Sequence, residues 1–149
     1  MTIDEYLNQL RTLKRREKKL YKNMMKCADR AFSPRSASNY DMPHSKSREN
    51  QTETLLIELA DADAAYTAAL EEYRAFREQL ENSIYNLFYW EGLVIDQVYF
   101  INGLLERDDD LTGLDEILKT RNRGVMISKL NEAKQHLRQI LIDQGVEIE

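Results

Sequence analysis

The stretch Thr52–Leu87, TETLLIELADADAAYTAALEEYRAFREQLENSIYNL, contains neither Gly nor Pro. With heptad position a at 56, 63, 70, 77 and 84 and d at 59, 66, 73, 80 and 87, its seam reads Leu56, Leu59, Asp63, Tyr66, Leu70, Tyr73, Arg77, Leu80, Ile84 and Leu87. Only Asp63 and Arg77 are charged, so the spacing predicts one long helix with an apolar stripe that another helix must cover. Alanines at 60, 62, 64, 65, 68 and 69 raise helix propensity and let a neighbouring helix approach closely.

The partner lies upstream. From Ile3 to about Arg30 no Gly or Pro interrupts the chain, and Thr2 with Glu5 forms a capping-box signature at its start. Ile3, Leu10, Glu17 and Met24 occupy a, and Tyr6, Leu13, Leu20 and Cys27 occupy d. Glu17 is the one charged interruption, either paired with a neighbouring base or turned out of the seam. Two such segments make an antiparallel hairpin, an arm about 42 Å long at about 1.5 Å per residue.

Charge follows the same division. Residues 1–50 carry 12 Lys and Arg against 6 acids, residues 51–110 carry 3 against 14, and residues 111–149 carry 6 of each. The net charge of −5 therefore averages a basic helix, an acidic helix and a neutral remainder. Surface ion pairs contribute only about 0–1 kcal/mol each, so they select orientation more than they set stability. Residues 31–51 join the helices and hold both prolines, several serines, and Arg35, His44, Lys46 and Arg48. Two readings stay open for this loop: a solvated connection, or a segment that touches phosphate or a partner.

With 5 Gly and 2 Pro in 149 residues, a turn-rich sandwich or barrel is disfavoured and the class is all-α. A single Cys excludes an intramolecular disulfide and a multi-Cys zinc site. Without a signal-like segment or a run of about 18 apolar residues, a soluble cytoplasmic protein with no membrane partner is expected.

From Phe88 the pattern becomes dense in aromatic and aliphatic residues. Tyr89 and Trp90 are expected to pack the junction of arm and head. Val94, Ile95, Val98, Tyr99 and Ile101 lie on a following helix that should stop at Asn102-Gly103, a C-cap signal. An acidic turn (Glu106, Asp108, Asp109, Asp110) precedes a short amphipathic segment, Leu114–Leu118. The polar break Lys119–Arg123 then leads to a helix from about Gly124 to Asp143, with Val125, Ile127, Leu130, Ala133, Leu137, Ile140 and Leu141 as its apolar stripe. The expected organisation is a hairpin arm over 1–87 and a helical head over 88–149, with a helix-turn-helix at about 114–143.

In that layout the second helix offers its first turns to the DNA major groove. Arg121, Asn122, Arg123, Ser128 and Lys129 would form the exposed face, since Arg grips guanine or phosphate with two donors and Asn pairs with adenine. Lys119, Lys134 and Arg138 suit phosphate contact. The other reading is a three-helix cluster whose surface arginines have no DNA role.

Little supports other chemistry. His44 and His136 are the only histidines and neither has a Cys or His near it in sequence, so no metal site is expected. Asp108–Asp110 lack the alternating ligands and Gly of a calcium loop, and read as a solvated turn. Cys27 reads as a small buried hydrophobe. No phosphate-binding Gly loop and no Ser-His-acid arrangement occurs, so neither enzymatic activity nor a cofactor is expected.

Across nearly its whole length the chain resembles a family of small regulators encoded by phages and prophages of Gram-positive bacteria. The likeness rests on Ile3-Asp-Glu-Tyr-Leu-Asn-Gln-Leu10, on Tyr40-Asp-Met-Pro43, and on Tyr99-Phe-Ile-Asn-Gly103 followed by Leu114-Asp-Glu-Ile117 and Val125-Met-Ile-Ser-Lys-Leu-Asn-Glu-Ala133. It implies a helical hairpin followed by a helix-turn-helix similar to sigma-factor region four. The implied function is transcriptional regulation on double-stranded DNA in the bacterial cytoplasm, with the arm used for homodimerisation or contact with RNA polymerase. The alternative is a non-enzymatic helical protein that binds or inhibits a host protein through the arm. Leu104–Gly113 and the Gly-free turn Lys119–Arg123 set this chain apart from the family's usual form.

Overall fold

A computed structural model describes residues 1–32 and 45–149, and every regular element among them is helical. They are α1 (Ile3–Phe32), α2 (Ser45–Tyr85), α3 (Tyr89–Ile95) continuing into a π-helical segment (Asp96–Asn102), α4 (Leu114–Leu118) and α5 (Arg123–Asp143). The all-α class holds: an antiparallel pair of long helices is followed by shorter ones. Both long helices outrun their expected ends. Residues 45–51, expected in the loop, are helical, and α2 stops at Tyr85 instead of Leu87. Arg35, His44 and the Tyr40–Pro43 motif lie outside the described residues.

Two compact units divide the described chain: Met1–Lys14 with Tyr73–Glu149, and Arg15–Glu72. The division falls inside α1 and α2, and not at Leu87. The first three turns of α1 are thereby built into the same unit as the carboxy-terminal helices.

In the unit Arg15–Glu72 the two helices run antiparallel. Tyr21 and Tyr66 meet with ring centroids 5.4 Å apart, and Arg16 pairs with Glu72 at 3.2 Å. The seam of α1 is as expected, with Leu20 and Met24 half-buried and Cys27 buried. Glu17 sits in this seam and is buried; it is not turned out of it. Cys27 accepts a hydrogen bond from Arg30 at 3.4 Å.

The heptad frame expected for α2 is half correct. Its d positions Leu59, Tyr66, Tyr73, Leu80 and Leu87 are buried or half-buried. The a positions are displaced by one residue, to Leu55, Ala62, Ala69, Phe76 and Ser83, whereas Leu56 and Asp63 are exposed. Ala62 and Ala69 are chosen over larger neighbours because a small side chain lets the facing helix come close. Arg77 lies beside the seam. It donates to Glu81 at 2.9 Å and to the Tyr73 hydroxyl at 3.1 Å, and it covers the Phe100 ring.

The other unit has a continuous core. Thr2 and Glu5 form the expected capping box, Thr2 N–H to Glu5 Oε2 at 3.0 Å and Glu5 N–H to Thr2 Oγ1 at 3.2 Å. This start aims Ile3, Tyr6, Leu7 and Leu10 at Tyr73, Leu80 and Ile84 of α2 and at Val94, Ile95 and Val98. Leu114, Met126, Leu130, Ala133, Leu137 and Leu141 complete the cluster. Leu10, Leu80, Leu114, Leu137 and Leu141 are fully buried, each stabilising by about 1.5–3 kcal/mol relative to exposure.

Four expectations are corrected in this unit. The buried stripe of α5 is Met126, Leu130, Ala133, Leu137 and Leu141, while Val125 and Ile127 are exposed. Tyr89 is 83% exposed and does not pack the junction, although Trp90 is half-buried against the core. Ile101 points outward.

The fourth correction concerns Asn102-Gly103, which is not a C-cap. Gly103 has φ −64° and continues the helical turn, with its N–H bonded to Val98 O at 2.9 Å, five residues back. A Cβ at Gly103 would lie 2.6 Å from Tyr99 O, so this wide turn tolerates only glycine without a backbone shift.

Lys119 closes α4 at φ 51°, ψ 41°, the left-handed conformation usually given to glycine. Lys119→Gly is expected to stabilise the protein by about 1 kcal/mol in urea unfolding, because the Cβ conflict disappears. An unchanged or lower midpoint would show that the lysine side chain makes a compensating interaction.

Candidate nucleic-acid interface

The turn between α4 and α5 is defined by short-range polar contacts. Thr120 N–H returns to Asp115 O at 3.2 Å, and Thr120 Oγ1 accepts the Asn122 N–H at 3.2 Å. Asn122 caps α5: its Oδ1 accepts Gly124 N–H at 2.9 Å and Val125 N–H at 3.4 Å. The amide oxygen proposed from sequence for base pairing is therefore occupied in holding the helix start.

The other expected site residues separate into two groups. Lys119, Arg121 and Arg123 are exposed around the Asn122 cap, and Ser128 is exposed one turn further along. Lys129 and Lys134 make contacts within the protein. Lys129 lies 5.3 Å from the Trp90 ring centroid and 3.3 Å from Glu132. Lys134 donates to Asp4 Oδ1 at 2.8 Å with a side chain only 15% exposed, so it is withdrawn from the face on which it was placed. Arg138 donates to the Glu149 carbonyl at 2.8 Å.

Acidic side chains border the exposed cations. Asp109, Thr112, Gly113 and Asp115 line an open cleft of about 370 Å³ together with Arg121 and Arg123. Arg123 and Asp109 approach to 4.0 Å with both side chains more than half exposed, a weak pair. The acidic segment is held in place by Asn102. This fully buried amide donates to Asp110 O at 2.9 Å and to Thr112 O at 2.7 Å, and accepts from Gln97 at 3.1 Å and Arg107 at 3.2 Å. Gly113, at φ +88°, lies against Gln97, where a Cβ would meet the Gln97 amide at 2.7 Å.

Two polar contacts had no signal in the sequence. Glu91 is buried, accepts the Phe88 N–H at 3.2 Å and touches His136 Nδ1 at 2.6 Å, while the Phe88 ring covers His136. Nothing in the separate α3 and α5 stretches could reveal this pairing, because 45 residues of chain stand between the partners. Tyr99 donates to Asp4 at 3.4 Å, and its pKa is pushed well above the ordinary phenol value by burial first and by the Asp4 carboxylate second. It therefore remains a hydrogen-bond donor.

Among the described residues, no group of His, Cys, Asp and Glu side chains is arranged to hold a metal ion, and no helix is long and apolar enough to cross a membrane. Compared with models of protein families, with curated proteins and with solved structures, the chain matches none.

Proposed function

We propose that this protein binds double-stranded DNA through the first turn of α5, as a transcriptional regulator of the phage and prophage type. The observation that supports it best is the exposure of Lys119, Arg121 and Arg123 around the Asn122 cap, on a 21-residue helix whose opposite face is locked into the core. The positive end of the helix dipole and three cations then act on the same phosphates. Leu114 of α4, fully buried, braces the turn that presents them. Self-association belongs to the unit Arg15–Glu72 in this reading, where Tyr21, Met25, Leu56 and Ile57 are exposed; RNA polymerase is the protein partner it would serve.

A labelled random-sequence duplex titrated with the protein should bind with an affinity that falls steeply as salt rises. No binding at low salt, or binding indifferent to salt, would sink the proposal. Asp109 competes with phosphate for Arg123, so Asp109→Asn is expected to tighten binding about threefold to tenfold in the same titration. A weaker complex would show that the acidic segment supports the interface.

A protein-binding role is the second reading, favoured by three neighbouring aromatics at the α2–α3 corner: Tyr85, Phe88 and Tyr89 are 88%, 66% and 83% exposed. Capture of a host protein that survives nuclease, and is lost when all three become Ser, would favour this reading over DNA.

A further inference from the structure

We infer that the cavity formed by α1, the π-helical segment and α5 is a binding site for a small zwitterion of the amino-acid class, whose carboxylate meets Arg11 and whose ammonium meets Asp110. The cavity measures about 320 Å³, at the lower end of the range for small-molecule sites, and is walled on its apolar side by Leu7, Val98 and Leu130. Its charged lining is balanced: Arg11 and Lys134 against Asp4 and Asp110.

The four charges are not equivalent. Asp4 is already engaged by Lys134 at 2.8 Å and by the Tyr99 hydroxyl at 3.4 Å. Arg11 is not engaged: its Nε–H is buried and finds no acceptor among the described residues. Asp110 has a backbone carbonyl tied to Asn102, while its carboxylate forms no ion pair with a described residue. A buried donor without an acceptor carries a desolvation cost that a bound acceptor relieves. A bare anion reaching Arg11 would also meet the carboxylates of Asp4 and Asp110. A bare cation reaching Asp110 would meet Arg11. A molecule with both charges, small enough for this volume, satisfies the two unpaired groups together.

The site is distinct from the DNA face, so the test needs no DNA. The full chain is melted in the presence of each of the twenty amino acids at millimolar concentration, with acetate and methylammonium as single-charge controls. One or more amino acids should raise the melting temperature by about 2–4 °C, with no rise for either control. Calorimetric titration of the best amino acid should lose its heat with Arg11→Gln and with Asp110→Asn, both substitutions at the cavity lining that leave the buried core intact. Three results overturn the inference: no amino acid shifts the melt, acetate alone reproduces the shift, or Arg11→Gln binds as the unaltered protein does.

Discussion

Asn102→Asp is expected to lower the unfolding free energy by about 3–4 kcal/mol, the largest loss foreseen for any single change outside the leucine core. The substitution keeps volume and shape but replaces an NH2 by an oxygen. That oxygen would face Asp110 O and Thr112 O, now bonded at 2.9 and 2.7 Å, in a fully buried position. Two donors become two repulsions, and the new carboxylate is desolvated with only Gln97 and Arg107 to compensate it. Protonation would restore one donor of the two. Asn102→Ala, which removes the amide without adding charge, is expected to cost about 2 kcal/mol. Urea unfolding followed by circular dichroism measures both. If Asp at 102 costs less than about 1 kcal/mol, the segment 104–112 is not coupled to the folding of this unit.

The second large effect is on DNA affinity. Lys119, Arg121 and Arg123 replaced together by Ala should weaken duplex binding about 10²–10³-fold at 0.1 M salt, because each phosphate contact contributes about 0.9 to the slope of log affinity against log salt. The slope itself should fall by about 2.7. Asn122 is left unchanged in this variant, since its side chain holds Gly124 and Val125 N–H and its loss would unravel the helix start. Unchanged melting with lost binding identifies the face. Unchanged binding moves any DNA contact away from α5.

These two predictions also separate what patterning can and cannot reveal. The capping box at Thr2–Glu5, the long helices, the d positions of α2 and the start of α5 were all legible, because each depends on neighbours three or four residues apart. The frame of the a positions was not. Counting apolar side chains favours Leu56, Leu70 and Ile84, yet a closely approaching helix selects Ala62 and Ala69. Likewise Val125 and Ile127 are as hydrophobic as Met126, and only the location of the surrounding core turns Met126 inward.

The candidate site shows the same division. Arg121 and Arg123 were identifiable from their place before an amphipathic helix. That Lys134 belongs to Asp4, and Lys129 to Trp90 and Glu132, could not be read, since a long cationic side chain finds its partner through the fold and not through its neighbours in sequence. The Asn102-Gly103 pair carried a true signal with a different meaning. The glycine is required because a wide helical turn brings Tyr99 O against it, and the asparagine because its amide satisfies a distant loop.

By itself the sequence determined the all-α class, the two long helices, the segregation of basic and acidic charge and the cationic start of α5, since local periodicity and capping are short-range physics. Tertiary structure alone decided which cations remain exposed, where the compact units divide, and that Arg11 and Asp110 line one cavity. Those outcomes depend on packing between segments as many as 130 residues apart, as the Asp4–Lys134 pair shows.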